Sequence, residues 1–389
     1  MADPWLLTPG PLTTSMAVKQ AMLHDWGSRD QAFIAMNRRV RERLVALAGG
    51  EGTHVCVPMQ GSGTFAVEAA MGTLVPRAGK LLVLVNGAYG RRMVAIAGVI
   101  GRACTSIETA EDTAVSPEAL DRALAADPAI SHVAVVHCET TSGILNPVAA
   151  IGAVSARYGR RLLIDAMSAF GALPLDLRQI ACDAIMASAN KCLEGVPGMG
   201  FVIVRRSSLE AAAGNAHSLS LDLFAQWQGF EQNAQWRFTP PTHVVAAFDQ
   251  ALDAHAAEGG VAGRGARYRR NMEILLQGMA AHGFESLLPP ALQAPIIATF
   301  RMPADPAFAF DRFYDGLRRR GYVIYPGKLT IADSFRIGCI GHLGEPEMHG
   351  VVEAVGETLA EMGVRSGAPP KADRIEPWIF GTDDFSATH

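Results

Sequence analysis

The stretch Val55-Cys-Val-Pro-Met-Gln-Gly-Ser-Gly-Thr-Phe-Ala-Val-Glu-Ala-Ala-Met-Gly-Thr-Leu-Val-Pro-Arg-Ala-Gly-Lys-Leu-Leu-Val-Leu-Val85 holds the fold in miniature. A short β-branched run (55–57) passes through a loop of small residues into an amphipathic stretch (64–74), and a second apolar run (81–85) follows. Strand, helix, strand is the βαβ unit of a parallel sheet. The same alternation continues to about residue 205, through apolar runs at 104–107, 132–137, 161–164, 184–187 and 200–204. Ser116-Pro117 marks another helix start, with serine as the cap and proline in the first turn. Right-handed βαβ units and a largely parallel sheet are therefore expected. The runs do not alternate strictly, as befits strands covered by helices on both faces.

Beyond about residue 255 the pattern changes. Gly259-Gly-Val-Ala-Gly-Arg-Gly265 reads as a loop or helix start, before a helix with Met272, Leu275, Leu276 and Met279 on one face. Then come a strand (296–300), a helix (308–319), short strands (322–325 and 335–339) and a last helix (346–362). The expected fold is α/β, with a large domain built on a mostly parallel sheet and a smaller C-terminal α+β domain. Its parts are an N-terminal segment beside the site (1–15), the large domain (16–258), the small domain (259–364) and an extended, proline-bearing tail (365–389).

Composition narrows the function. Of 389 residues, 49% are hydrophobic and 19% charged, which suits a large buried core and excludes wholesale disorder. A formal charge of −4 argues against a nucleic-acid binder of the basic-patch kind. The apolar runs are a handful of residues long, against the roughly 20 that a membrane span needs, so no membrane role is expected. Met1-Ala-Asp-Pro-Trp5 shows neither a basic n-region nor an apolar h-region, so no secretory signal is expected and the compartment is read as cytoplasmic. The six cysteines form no Cys-x-x-Cys pair and fit no zinc spacing, so they are read as free thiols and no metal site is expected.

Four segments at strand ends bear chemistry. In Gln60-Gly-Ser-Gly-Thr-Phe-Ala66, Gly61, Gly63 and Ala66 match a dinucleotide pattern, but the next strand ends in Asn86 rather than an acid. A loop of small residues before a helix still suits a phosphate, with Ser62 and Thr64 as hydroxyl donors, or is an ordinary tight turn. Asp165 ends the run Leu162-Leu-Ile-Asp165, either as a helix cap or as an acid facing the ligand crevice. Lys191, in Ser188-Ala-Asn-Lys-Cys-Leu-Glu-Gly-Val-Pro-Gly198, is either a solvated lysine or a desolvated Schiff-base amine. The fourth is the loop Cys138-Glu-Thr-Thr-Ser-Gly143. Together they describe a site for a phosphate, a carboxylate and an amine, which is what pyridoxal phosphate requires, and Tyr89 is placed to stack on its ring.

At this point the chain resembles the fold-type I pyridoxal-phosphate aminotransferases of class V. The resemblance rests on Leu7-Thr-Pro-Gly-Pro-Leu-Thr-Thr14, Asp25-Trp-Gly-Ser-Arg-Asp30, Met59-Gln-Gly-Ser-Gly-Thr64, Glu139-Thr-Thr-Ser-Gly143, Asp165-Ala-Met-Ser168, Ser188-Ala-Asn-Lys191, Arg237-Phe-Thr-Pro-Pro-Thr-His243, Tyr325-Pro-Gly-Lys-Leu-Thr330 and Phe335-Arg-Ile-Gly338. The second of these, with the Arg237 and Tyr325 segments, points to the members acting on 2-aminoethylphosphonate and pyruvate rather than to alanine or serine and glyoxylate relatives.

The resemblance implies the site roles. Lys191 carries the cofactor and Asp165 pairs with its ring nitrogen. Tyr89 and Met167 flank the ring, Thr140 and Asn190 lie beside it, and Ser62, Gly63 and Thr64 hold the phosphate. Thr239 reaches in from a second subunit, so a homodimer with interface active sites is implied. Arg336 binds the anionic end of the substrate, with Gly10 and Arg29 as further substrate contacts. Read without the resemblance, an arginine in such a short strand is commonly an edge residue paired with a surface acid, and that reading of Arg336 stays open as the lesser alternative. The residues 237–243, with adjacent prolines, are expected as a rigid loop holding its hydroxyls and His243 outward. Cys339 raises a cysteine desulfurase, but it sits within a strand pattern rather than a mobile loop.

Overall fold

All seven apolar runs read between residues 55 and 205 fall in strands of one sheet. The computed structural model describes residues 3–327 and 329–370. Across the sheet the order is His54–Gln60, Met199–Arg205, Ala184–Ser188, Arg161–Asp165, Ile130–Val136, Lys80–Val85, Ala103–Glu108. Met199–Arg205 runs antiparallel to both its neighbours, and the other pairings are parallel. The reversal follows from its connection: residues 189–198 are too few for the crossover of a dozen or more residues that a parallel neighbour requires.

Alternate residues of each strand enter opposite layers. Leu82, Leu84, Val133, Val135, Leu162 and Ile164 pack against the helices Gln31–Leu47, Pro117–Ala126, Val148–Arg157 and Thr242–Ala257. Leu81, Val83, Val85, Ala134, Val136 and Leu163 pack against Gly63–Leu74 and Ala88–Val99. Both faces are apolar because both are covered, which is why the runs lack a polar stripe. Ser116 caps its helix as read, accepting from Ala119 N at 3.0 Å ahead of Pro117.

Three long helices of the large domain escaped the sequence reading, Gln31–Leu47, Leu223–Asn233 and Thr242–Ala257, as did the five-residue helices Met16–Gln20 and Arg206–Glu210. Thr242–Ala257 corrects the loop expected at 237–243, since Thr242 and His243 already lie in its first turn. Paired prolines end a loop there and also enter a helix, because proline has no N–H to satisfy in the first turn.

The small domain contains the helix Gly260–Ala281, with Met272, Leu275, Leu276 and Met279 buried, and the helices Phe310–Arg319 and Glu345–Met362. They pack on a three-stranded antiparallel sheet in the order Ile297–Arg301, Ser334–Gly338, Tyr325–Pro326. The single strand expected at 322–325 is split between two partners. Tyr322–Val323 pairs with Trp5–Leu6, and Tyr325–Pro326 with Ser334–Gly338. Through that first pairing the N-terminal segment joins the small domain, and Leu7 and Leu12 enter its core. Residues 366–368 are bound to the body: Gly367 N donates to His282 O and Ala304 N to Ala368 O, each at 2.8 Å. From residue 371 the expected tail, with Trp378, Ile379 and Phe380, lies outside the described residues.

Candidate active site

The parallel strands bring their C-terminal ends to one edge of the large sheet, the edge where open α/β sheets bind ligands. Asp165 ends one of them and is 5% exposed. One carboxylate oxygen accepts from Met167 N at 3.0 Å, so it does cap the local turn. It forms no ion pair among the described residues. Burial, opposed by the Met167 N–H and reinforced by the Glu139 charge, pushes its pKa up to about 6. Arg92 and Lys191 are the cations that oppose this rise.

Lys191 follows the adjacent strand, Ala184–Ser188, in a tight turn. Its amine donates to Pro9 O of the N-terminal segment. The side chain passes over Gly10, whose added Cβ would sit 2.6 Å from Nζ. Gly10 also has φ +121°, so glycine is required there twice over. At the end of the same strand the Ser188 hydroxyl is buried with no hydrogen-bond partner among the described residues.

The small-residue loop opens the helix Gly63–Leu74 as read, with Ser62 in the cap position but making no side-chain cap bond. The first N–H groups of that helix and its positive dipole end are therefore open to an anion. An added Cβ on Gly63 would lie 2.3 Å from Met167 Sδ, so Met167 covers one side of this loop. Arg92 donates to Thr64 Oγ1 at 3.1 Å and stacks over the Tyr89 ring at 4.8 Å. That places a cation between the phosphate loop and the expected ring-stacking residue.

Tyr89 lies in the first turn of Ala88–Val99, a helix whose cap position, Gly87, has no side chain. Glu139 caps it instead. One oxygen accepts from Tyr89 N and Gly90 N (3.2 Å each), the other from Thr141 N (3.1 Å) and Thr141 Oγ1 (2.6 Å). Burial raises the Glu139 pKa, and these four donors hold it down. Sequence reasoning quoted the loop of Glu139 without giving that acid a role. Its only signal was a carboxylate at a strand end, and the helix it caps lies about 50 residues away. Arg92 was also missed, because its partner Thr64 lies 28 residues away in another helix.

Arg336 comes from the small domain, in the strand Ser334–Gly338, and is 1% exposed. Its Nη1 donates to Thr140 O at 2.9 Å and its Nε to Pro326 O at 3.1 Å. Among the described residues no acid pairs with it, so it is no edge arginine bound to a surface carboxylate. Burial lowers its pKa, and Tyr89, Tyr325 and Glu139 stand close enough to act on it electrostatically. Thr239 and Arg29 line a separate surface recess with Ser28, Trp236, Arg237 and Phe238, which includes none of the groups above. Asn190 is half-buried in the Lys191 turn.

Burial holds the cysteine thiols beside the site in their protonated form. Cys192 is buried with its thiol pushed up to about 12, and burial also drives the Cys339 thiol upward. Among the described residues no His, Cys, Asp and Glu cluster fits a metal ion.

The family model described as aminotransferase class-V matches residues 18–306. A 2-aminoethylphosphonate–pyruvate transaminase of Burkholderia lata is 57% identical over 364 residues, covering 94% of this chain and 97% of that protein. Its namesake in Pseudomonas aeruginosa PAO1 is 55% identical over 361 residues, covering 93% and 97%. Among solved structures, pyridoxamine-pyruvate aminotransferase of Mesorhizobium loti superposes with a TM-score of 0.84 at 25% identity, covering 94% of this chain and 95% of its own. The chain belongs to the class-V aminotransferases, alongside these 2-aminoethylphosphonate–pyruvate transaminases.

Proposed function

We propose that the protein moves the amino group of 2-aminoethylphosphonate to pyruvate, yielding phosphonoacetaldehyde and L-alanine in the breakdown of phosphonates. Class-V aminotransferases work with pyridoxal phosphate. The residues fit that group: an uncapped helix start for its phosphate, an unpaired buried carboxylate for its ring nitrogen, and a lysine amine beside them. The observation that carries the substrate reading is Arg336, a buried guanidinium anchored by two carbonyls and no acid. Its charge is left to an anionic ligand, and its planar fork suits a phosphonate and a carboxylate alike. The relatives named for these two substrates support it.

When bound, pyridoxal phosphate supplies an aldehyde that condenses with amines and a ring that accepts electrons from the neighbouring carbon. The chain supplies the rest. Ser62, Gly63 and Thr64 bind the phosphate through N–H and hydroxyl donors. Asp165 holds a proton at the ring nitrogen, which matters because the reacting carbon of this amine bears no carboxylate. Tyr89 and Met167 bracket the ring, and Glu139 fixes the backbone of Tyr89. Thr140 and Asn190 lie beside the ring, with Gly10 giving Lys191 room to pass. Lys191 carries the cofactor at rest. With the amine of Lys191 freed by the substrate amine, it would take the proton from the carbon bearing nitrogen and deliver it to the cofactor carbon on the other side of that nitrogen. Pyruvate then uses the same groups in reverse order.

The active unit in this reading is a two-fold homodimer with sites at the interface. Thr239 and Arg29, set apart from Lys191 within one chain, would serve the partner's site, as an isologous interface allows. The division into N-terminal segment, large domain, small domain and tail goes with it, as does a cytoplasmic setting. No helix of the described residues is long and apolar enough to cross a membrane.

Alanine formation from pyruvate, measured with 2-aminoethylphosphonate, serine and other amines, tests the substrate. A clear preference for the phosphonate is expected, and equal or better use of serine would overturn the reading. Mixing Lys191→Ala and Thr239→Ala chains tests the dimer. Activity returns on subunit exchange if Thr239 acts across the interface, and stays lost if it acts within its own chain.

A further inference from the structure

The turn that bears Lys191 is held from behind. Glu194 N donates to Lys191 O at 2.7 Å and Gly195 N to Ala189 O at 2.8 Å, closing residues 189–195 on themselves. Glu194 completes the turn at φ +57°, a region that disfavours any residue with a Cβ. Such backbones persist where the surroundings over-determine them. Here the Glu194 carboxylate is buried, and its Oε1 accepts from the Tyr268 hydroxyl at 2.6 Å and from Arg267 Nη2 at 2.7 Å. Arg264 Nη1 stands 3.5 Å from the same oxygen and donates to the carbonyl of Cys192, beside the lysine. Glu258 balances the second positive charge, accepting from Arg264 Nε at 2.6 Å and Arg267 Nε at 2.7 Å.

The cluster also reaches the opposite side of Lys191. Arg267 Nη1 donates to Gly341 O and Leu343 O at 2.7 Å, and the Tyr268 hydroxyl accepts from Gly341 N at 3.1 Å. His342 N in turn donates to Thr13 O at 2.8 Å, and Gly338 N to Leu7 O at 2.9 Å. Between those two anchors lies Pro9, whose carbonyl receives the Lys191 amine. The backbone of the lysine and the segment its amine touches therefore hang on one buried cluster.

We infer that Glu194, held by Tyr268 and Arg267, is a positioning residue that sets the Lys191 turn and so the reach of its amine. The inference rests on the proposed function for the role of Lys191. A displacement of about 1 Å at a reacting group costs roughly a hundredfold in rate, so a turn in a disfavoured backbone state needs such a clasp.

The test uses cofactor-loaded wild type, Glu194→Gln, Glu194→Ala and Tyr268→Phe. The first readout needs no substrate: the pH titration of the absorbance of the Lys191-bound cofactor. Glu194→Ala and Tyr268→Phe should shift its midpoint by about half a pH unit or more, as a changed environment of the linkage requires. Glu194→Gln keeps an acceptor oxygen for Tyr268 and Arg267 while an amide nitrogen replaces the other oxygen and the charge is lost, so it should titrate as wild type. A Gln variant that shifts with the Ala variant would make this a charge effect and overturn the inference. The second readout is single-turnover reaction with 2-aminoethylphosphonate deuterated at the carbon bearing nitrogen. In Glu194→Ala the rate should fall about tenfold or more, half-saturation should hold within about twofold, and the isotope effect should rise. A folded Glu194→Ala protein with wild-type titration and rate refutes positioning. If that variant does not fold, Tyr268→Phe, which keeps every charge and the backbone, decides by the same two readouts. Should wild type ignore the phosphonate, the substrate reading fails while the titration still decides the inference.

Discussion

Gly63→Ala is the most direct probe of how the phosphate loop and the ring site share space. Gly63 starts a helix with an ordinary negative φ, so an alanine meets no backbone strain and gains about 0.4–1 kcal/mol of stability through the unfolded chain. The added Cβ, however, would lie 2.3 Å from Met167 Sδ, 2.7 Å from its Cε and 3.1 Å from its Cγ. Met167 must swing away, which in the proposed reading is toward the space of the pyridine ring. An off-rotamer side chain costs about 0.5–1.5 kcal/mol. A lost sulfur–aromatic contact costs about 0.3–1.5 kcal/mol. Apparent cofactor affinity should therefore fall by about 1–3 kcal/mol, or roughly 5- to 150-fold. The assay is titration of the apoprotein with pyridoxal phosphate, followed by fluorescence and absorbance, beside a thermal melt. Melting should be unchanged or slightly higher while affinity drops. Adding Met167→Ala removes the clash and should recover most of the loss beyond what Met167→Ala costs alone, a coupling a double-mutant cycle reads directly. Undiminished affinity in Gly63→Ala, or a double variant no better than the sum of the singles, would refute the placement of Met167 between loop and ring.

Lys191→Ala should fold and bind the cofactor without a covalent link, while the amine half-reaction in stopped flow slows by orders of magnitude. Arg336→Lys keeps the charge but cannot span Thr140 O and Pro326 O while gripping an anion, so half-saturation should rise about tenfold or more for both 2-aminoethylphosphonate and pyruvate in separate half-reactions. Asp165 has a folded pKa of about 6 against 3.8 unfolded, so the folded apoprotein binds the extra proton and loses stability as pH rises between those values, by up to about 3 kcal/mol. The buried His132 and His137, lowered to about 4, act in the opposite sense, so urea unfolding of apo wild type must be compared with apo Asp165→Asn, which should lack the Asp165 component alone.

What was legible in the sequence was whatever short-range pattern encodes. Apolar runs of strand length separated by helical stretches located all seven strands of the large sheet; in six of them burial on both faces writes itself into consecutive residues, while the edge strand Ala103–Glu108 has no buried residue. Polar residues just past those runs, among them Ser62, Asp165 and Lys191, marked the edge where the site lies, since parallel strands share one C-terminal edge. The helix Gln31–Leu47 was not read, because its apolar positions are interleaved with charged residues that make ion pairs with later helices, such as Arg39 to Asp249. The direction of Met199–Arg205 was decided by the length of one connection and is visible only once neighbours are paired. The rest of the site is long-range. Glu139 caps the Tyr89 helix from about 50 residues away, Arg336 meets Thr140 across 196 positions, and the Lys191 amine reaches Pro9 across 182. The sequence by itself determined the layers, the strand ends and the types of group at them. Which groups touch was settled by tertiary structure alone: the Glu139 cap forms only when separate strand ends of the large sheet are set side by side, and the other two contacts only when the small domain and the N-terminal segment pack on the sheet edge, and no local period records either.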